Sequence, residues 1–209
     1  MAGRDHWRGK QCLKGFYIWL SRFGGAHRQP RSFSAIITSL IGIKLRGVTK
    51  IATTRLMPLH VGKGRNISTA IADIIDYVEN PQKTDFGKFI YGYECDTRLA
   101  DAEFLLSKRQ YANLTGRNQG ADDVIAYHLR QAFKPGEVTP EEANQIGREL
   151  ALKLTKGNHA FVVCTHVDKH HVHNHIIINS TTLDCQKKFR NFWGSTWAIR
   201  RMNDKLCLE

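Results

Sequence analysis

Hydrophobic positions fall into short helical or alternating runs only beyond about residue 50. Ile71, Ile74, Ile75 and Val78 recur at i, i+3, i+4 and i+7, the spacing of one helix face. They predict a helix capped by Ser68 and closed at Asn80-Pro81, because a proline disfavours helical geometry in the residue before it. A second helix is expected from near Thr97 to Tyr111. A third starts at Thr139-Pro140-Glu141-Glu142, where a capping threonine, a first-turn proline and a glutamate at the third helical position coincide. Ala143, Ile146, Leu150, Ala151 and Leu154 give it a buried stripe, and Gly157-Asn158 close it. A fourth begins near Ser195 and carries Ile199, Met202 and Leu206. Between the helices lie extended runs at 52–62, broken by Gly62-Lys63-Gly64, and at 88–94, 123–133, 160–165 and 172–180. Strands and helices are mixed without the strict alternation of a doubly wound sheet. The expected fold class is therefore α+β, with a central, largely antiparallel sheet flanked by helices.

Residues 1–50 differ. They are rich in Arg, Gly, Ser and aromatics and show no sustained period. They also hold ten Lys or Arg against one acid, Asp5. Most of the net charge of +12 therefore sits in this segment, and whole-chain charge is a weak guide to what the rest binds. We expect residues 1–50 to be a basic extension, disordered or outside the domain, and residues 51–209 to form the domain. The last helix shows no terminating signal before Glu209, so that domain is expected to be truncated at its C-terminal end. Hydrophobic residues make up 42% and charged residues 24%, an ordinary globular balance. No stretch approaches about 18 apolar residues, so no membrane span is expected. Five widely spaced cysteines without a CxxC pair disfavour a disulfide scaffold and fit a cytoplasmic setting.

Five of ten histidines fall between positions 166 and 175, in THVDKHHVHNHIIINS. A lone histidine reads as a solvated or packed side chain. An HxD followed by an HxH at strand spacing reads differently. Alternate strand residues share a face, so His173, His175, Ile177 and Asn179 point one way and Asn174, Ile176 and Ile178 the other. Two imidazoles at i and i+2 can reach one ion, and His166 supplies a third if its strand pairs with theirs. Three protein ligands with open positions describe a catalytic rather than a structural metal site. Asp168 and Asn179 are candidates for support from behind the ligands. His170 and His171 lie in the turn, solvated or against a nucleic acid.

HVDKHHVHNHIIIN resembles the metal motif of HUH endonucleases, specifically the P-class mobilisation relaxases. HVGKGRNISTAIADIIDYVENPQKT, residues 60–84, resembles their nucleophile motif, and DVIAYHLRQAFKPGEVTPEEA, residues 123–143, their second motif. KKFRNFWGSTWAIRRMNDKLCLE, residues 187–209, is similar to the region after the metal motif. The resemblance runs from about Thr53 to Glu209, with the motifs in order. It implies a sheet with the two-histidine strand at its centre, and Tyr77 as a nucleophile that attacks a DNA phosphate. It also implies His166, His173 and His175 as ligands of a divalent ion, Mg²⁺ or Mn²⁺ in use, with Zn²⁺ or Ni²⁺ accepted by the same imidazoles. Lys63, Arg65 and Lys83 are candidate phosphate contacts. The implied activity is site- and strand-specific nicking at a plasmid or conjugative-element transfer origin. The implied partners are single-stranded DNA, a relaxosome accessory protein and a coupling protein.

Two departures stand out. Asn174 replaces the hydrophobe between the paired histidines, but by alternation it faces away from the metal. Ala132 stands where relatives often carry serine. The competing readings are an HUH replication initiator or transposase, and an inactive DNA-binding remnant. The tyrosine preceding the histidines favours a relaxase over the first.

Overall fold

The computed structural model describes residues 52–62, 64–117 and 120–208. The basic extension and Lys63 lie outside the described residues. Five strands, β1 (Thr53–His60), β2 (Ile90–Tyr93), β3 (Val124–Ala132), β4 (Phe161–His166) and β5 (His173–Asn179), form one sheet in the order β1-β3-β5-β4-β2. Every pairing is antiparallel. Four helices, α1 (Ile67–Glu79), α2 (Ala100–Thr115), α3 (Pro140–Thr155) and α4 (Ser195–Leu208), cover it. The α+β class and the central place of the two-histidine strand are as expected. Among the described residues, no helix is long and apolar enough to cross a membrane.

Both faces of the sheet are buried, which explains the near-continuous apolar sequences of β4 and β5. On one face, Ile71, Ile75 and Val78 of α1 and Phe104 of α2 pack on Ala126, Val162, Cys164 and Ile177. On the other, Leu150 and Ala151 of α3 and Ile199 and Leu206 of α4 pack on Leu129, Phe161, Val163, Ile176 and Ile178. Each fully buried aliphatic or aromatic side chain contributes roughly 1.5–3 kcal/mol.

The helix boundaries follow local chemistry. At α3, the Thr139 hydroxyl accepts from the Glu142 amide and the Glu142 carboxylate accepts from the Thr139 amide, the complete reciprocal cap. At α1 the cap is Asn66, not Ser68. Its Oδ1 accepts from the Thr69 amide at 2.7 Å, so the helix starts earlier and Ser68 lies inside it. Helix α2 runs past Tyr111 to Thr115, because its stop is Gly116 in the left-handed conformation at φ 66°.

Behind β5, on the α3 and α4 side, is a buried polar network. Asn174 Nδ2 donates to Gln131 Oε1 (2.7 Å) and to the Ala143 carbonyl (2.6 Å), and its Oδ1 accepts from the Thr165 hydroxyl (2.7 Å). Gln131 donates onward to Asn203, which donates to the Ala52 carbonyl. Asn144 donates to Thr165 and to the Phe89 carbonyl. Strands β3, β4 and β5, and Ala52 just before β1, are thus tied to α3 and α4 through satisfied polar groups, the condition under which buried polarity fixes one arrangement.

Candidate metal and nucleophile site

β4 ends at His166 and β5 begins at His173, and the antiparallel register sets these two residues opposite each other. His175 lies two residues along the same face. The three imidazoles each offer a nitrogen, and these nitrogens lie within 4.8 Å of one another. The second nitrogen of each ring is engaged. His166 Nε2–H donates to the Val78 carbonyl at 2.8 Å, and His173 Nδ1–H donates to the His171 carbonyl at 3.3 Å. His175 Nδ1 lies 2.7 Å from His128 Nε2. The tautomer that frees His175 Nε2 has Nδ1–H donating to His128. His166 Nδ1, His173 Nε2 and His175 Nε2 are then the lone pairs left for an ion, each ring oriented by a hydrogen bond behind it as metal-bound histidines require. Burial lowers the pKa of all three. His175 is pushed down to about 2 by burial first and by the neighbouring histidines next, and His128 to about 4 for the same leading reason. Neutral imidazole is the ligating form, so the donor set fits a divalent transition ion or Mn²⁺.

Tyr77 occupies the last turn of α1, half exposed. Its ring centroid is 5.7 Å from that of His175 and 6.3 Å from that of His166. The turn after it positions these groups. Asn80-Pro81 stop the helix, and the Val78 carbonyl, which the helix would otherwise leave unsatisfied, accepts the hydrogen bond from His166 Nε2–H. Buried Thr84 closes the turn on the Asn80 carbonyl at 3.0 Å, and the Val167 amide donates to the Lys83 carbonyl at 2.8 Å. Lys83 Nζ is thereby held 4.4 Å from the Tyr77 ring centroid. A cavity of about 450 Å³ opens beside Tyr77, lined by His128, Arg130, Ala132, Lys169, His173 and His175. It offers a phosphate two cations, a phenol and the imidazole cluster at one mouth.

The structure brings together Tyr77, His166, His173, His175 and Lys83. Asp168 lies in the exposed loop after β4. Its charge favours protonation of His166 and His173 but is outweighed by burial, and the orienting bonds come from the main-chain carbonyls of Val78 and His171. Asn179 sits at the far end of β5, donating to Ser107 at 2.7 Å and accepting from the Thr181 amide. Arg65 is at the start of α1, away from Tyr77, paired with Asp73 at 2.7 Å. Asn174 faces away from the imidazoles, as alternation predicts. His128 escaped the sequence reading. Alternation puts Ala126, His128 and Arg130 on one face of β3, but only the pairing of β3 with β5, with Arg130 opposite His175, brings that face to the imidazoles.

The family described as "Relaxase: MobA/VirD2-like, nuclease domain" matches residues 77–209. Among individual proteins, the chain is 42% identical to "Protein rlx" of Staphylococcus aureus over 118 residues, 56% of this chain and 35% of that protein. It is 34% identical over 139 residues to "Group II intron-interrupted relaxase LtrB" of Lactococcus lactis subsp. cremoris (strain MG1363), covering 57% of this chain and 24% of that one. The match thus spans about a third or less of these relatives' length.

Proposed function

Because the chain belongs to the family of MobA/VirD2-like relaxase nuclease domains, we propose that it is a metal-dependent, site- and strand-specific DNA nickase and strand transferase. It acts in the cytoplasm on single-stranded DNA at a plasmid or conjugative-element transfer origin, with a relaxosome accessory protein and a coupling protein as partners. The carrying observation is the phenol of Tyr77 set edge-on against His175, beside three imidazoles that share one focus.

His166, His173 and His175 would hold a divalent ion, Mg²⁺ or Mn²⁺ in use. When bound, it withdraws charge from the non-bridging oxygens of a phosphodiester. The chain's own groups do the rest. The Tyr77 oxygen attacks phosphorus, the bond from phosphorus to the 3′ oxygen breaks, and the phenol proton ends on the 3′-hydroxyl. The strand's 5′ phosphate remains on Tyr77 as a phosphotyrosyl ester. One phosphoester replaces another, so the 3′-hydroxyl of a strand can reverse the step and rejoin DNA. Lys83 places an ammonium beside the phenol and the incoming phosphate, and Arg130 and Lys169 line the approach. The hydroxyl that relatives often carry where this chain has Ala132 is missing from the cavity wall next to His173. That loss removes neither nucleophile nor ligand.

The test is a supercoiled plasmid carrying the element's origin, incubated with protein and Mn²⁺, then denatured in SDS. The expected product is nicked DNA with covalently attached protein, absent with Tyr77→Phe. An SDS-stable adduct formed by Tyr77→Phe would move the nucleophile elsewhere, and no nicking by the wild type at its own origin would leave a binding protein.

A further inference from the structure

The segment after β5 carries a surface that the Tyr77 site does not use. From Gln186 to Arg201 the chain has five cations, Lys187, Lys188, Arg190, Arg200 and Arg201, and no acid; Lys188 is taken up by an ion pair with Asp123. Interleaved with them are three large aromatics that the core leaves out. Trp193 is 90% exposed, Trp197 62% and Phe192 56%. Helix α4 meets its packing needs through Ile199, Asn203, Leu206 and Cys207, so Trp197 on its outer face is surplus to the fold.

The display is built. Phe189 anchors the segment against Tyr127 and His159, with centroids at 4.9 and 5.4 Å. The turn that follows is closed from both sides. The Ser195 amide donates to the Phe192 carbonyl at 2.9 Å, and the Phe192 amide donates to the Ser195 hydroxyl at 3.0 Å. Gly194 lets the Phe192 ring fold back over the backbone, where a Cβ would lie 2.7 Å from it. The Arg200 guanidinium stands 5.5 Å from the Trp197 ring centroid. Flat rings at a surface, with three arginines among them against the single exposed acid of α4, Asp204, meet the two needs of an unpaired strand: π faces for its bases and positive charge for its phosphates. A protein partner would call for apolar surface without so large an excess of cations.

We propose that Phe192, Trp193 and Trp197, with Arg190, Arg200 and Arg201, form a stacking platform for single-stranded DNA, separate from the site of strand cleavage. Helix α4 packs on the sheet face opposite α1, so the platform holds a different stretch of the strand from the one at Tyr77. Among the described residues the sheet that separates the two sites has β1 and β2 as its edges. The proposal rests on the reading of the protein as an enzyme of DNA strands but can fail separately from it.

The experiment measures anisotropy of a labelled oligo-dT strand binding to the full chain carrying Tyr77→Phe, so that no chemistry intervenes. Adding Trp193→Ala and Trp197→Ala should weaken binding about tenfold or more, with the melting temperature unchanged, whereas Trp→Phe at both positions should keep most of the affinity. An abasic strand of equal length should bind the parent and the alanine variant alike. Equal oligo-dT affinity in parent and alanine variant would overturn the platform. So would an equal loss on the abasic strand, or a loss of binding to phosphatidylserine vesicles with oligo-dT binding intact. Adduct formation by the wild type alongside unchanged oligo-dT affinity sinks the platform alone. A tenfold effect without any adduct sinks only the cleavage reading.

Discussion

Gly147→Ala puts two opposed effects on one site, and the geometry decides the sign. In an isolated helix the change stabilises by about 1 kcal/mol, because glycine is the poorer helix former. In α3, a Cβ at position 147 would lie 2.6 Å from Asn174 Nδ2, 3.2 Å from Asn174 Cγ and 3.1 Å from Val163 Cγ1. Asn174 cannot retreat freely, since both Nδ2 protons are committed, to Gln131 Oε1 and to the Ala143 carbonyl. Moving the amide far enough to restore ordinary contact stretches at least one of these bonds in a fully buried place, at about 1–3 kcal/mol. Crowding Val163 adds about 1 kcal/mol or more. The net expectation is a destabilisation of about 2 kcal/mol, or about 4–8 °C in Tm for a chain of this size. Thermal unfolding followed by circular dichroism measures it. Because Asn174 stands between His173 and His175, Mn²⁺ affinity should fall as well. A double-mutant cycle isolates the cause. In an Asn174→Ala background the obstacle is gone, and Gly147→Ala should turn neutral or stabilising. A Tm for Gly147→Ala at or above that of the wild type would refute the reasoning, and so would the same penalty persisting without Asn174.

Three further outcomes are expected. His173→Ala or His175→Ala should abolish measurable Mn²⁺ binding in isothermal titration and nicking with it, and undiminished affinity in both would remove these residues from the site. His128→Ala takes away the partner of His175 Nδ1 and should lower Mn²⁺ affinity by about 10- to 100-fold at unchanged fold, whereas wild-type affinity would show that the contact orients nothing. Burial, and then Asp76, push the Glu79 carboxyl from 4.5 up to about 7. Its raised value stabilises the folded state fully below pH 4.5, and that contribution is lost as pH rises through about 7. Glu79→Gln should therefore flatten the fall in Tm across that window and raise Tm above it. The gain is on the order of 1–2 kcal/mol after discounting for solvent at a half-buried group, and parallel Tm–pH curves for both proteins would count against it.

What the sequence disclosed, and what it hid, divides by range. The Thr139 cap of α3 was legible because every group in it lies within four residues, and the structure forms both reciprocal bonds. β4 and β5 were legible because strands covered on both faces read as apolar runs, and the HxH spacing placed two imidazoles on one side of β5. The cap of α1 was misread because Asn66 and Ser68 are both able caps, and the choice depends on how the chain leaves the turn in which the Arg65 amide bonds the Gly62 carbonyl. His128 was hidden because strand order is a long-range property. Nothing local says that β3 lies beside β5, and without that neighbour its histidine is an ordinary core residue. Asn179 illustrates the converse. It shares the face of the ligands, but four residues beyond His175 at about 3.3 Å each is too far to act on them. Asp168 was a reasonable orienting group by residue type, yet a sequence does not display its carbonyls, and two of these do the orienting.

That last substitution has a physical consequence for how the site is kept. The bond from His166 to the Val78 carbonyl joins a proposed ligand to the main chain of the residue next to Tyr77. The last carbonyls of a helix carry its negative end and lack partners within it, so the Val78 oxygen is a strong acceptor aimed along the axis. It selects the tautomer of His166 with the proton on Nε2, which leaves Nδ1 for an ion. The same oxygen fixes where α1 stops relative to β4. Tyr77 is therefore registered against the imidazoles through backbone geometry, and the side chain of Val78 is free to serve the core, where it is fully buried. β5 divides its labour in the same way. His173 and His175 face α1, while Asn174 between them is clamped from behind by Gln131, Thr165 and the Ala143 carbonyl. The two imidazoles cannot slide or twist without breaking buried hydrogen bonds on the opposite face. Tyr77 and the three imidazoles, the proposed nucleophile and ligands, are thus each held by hydrogen bonds made behind them, and the rigidity of the site comes from α3 and the end of α1.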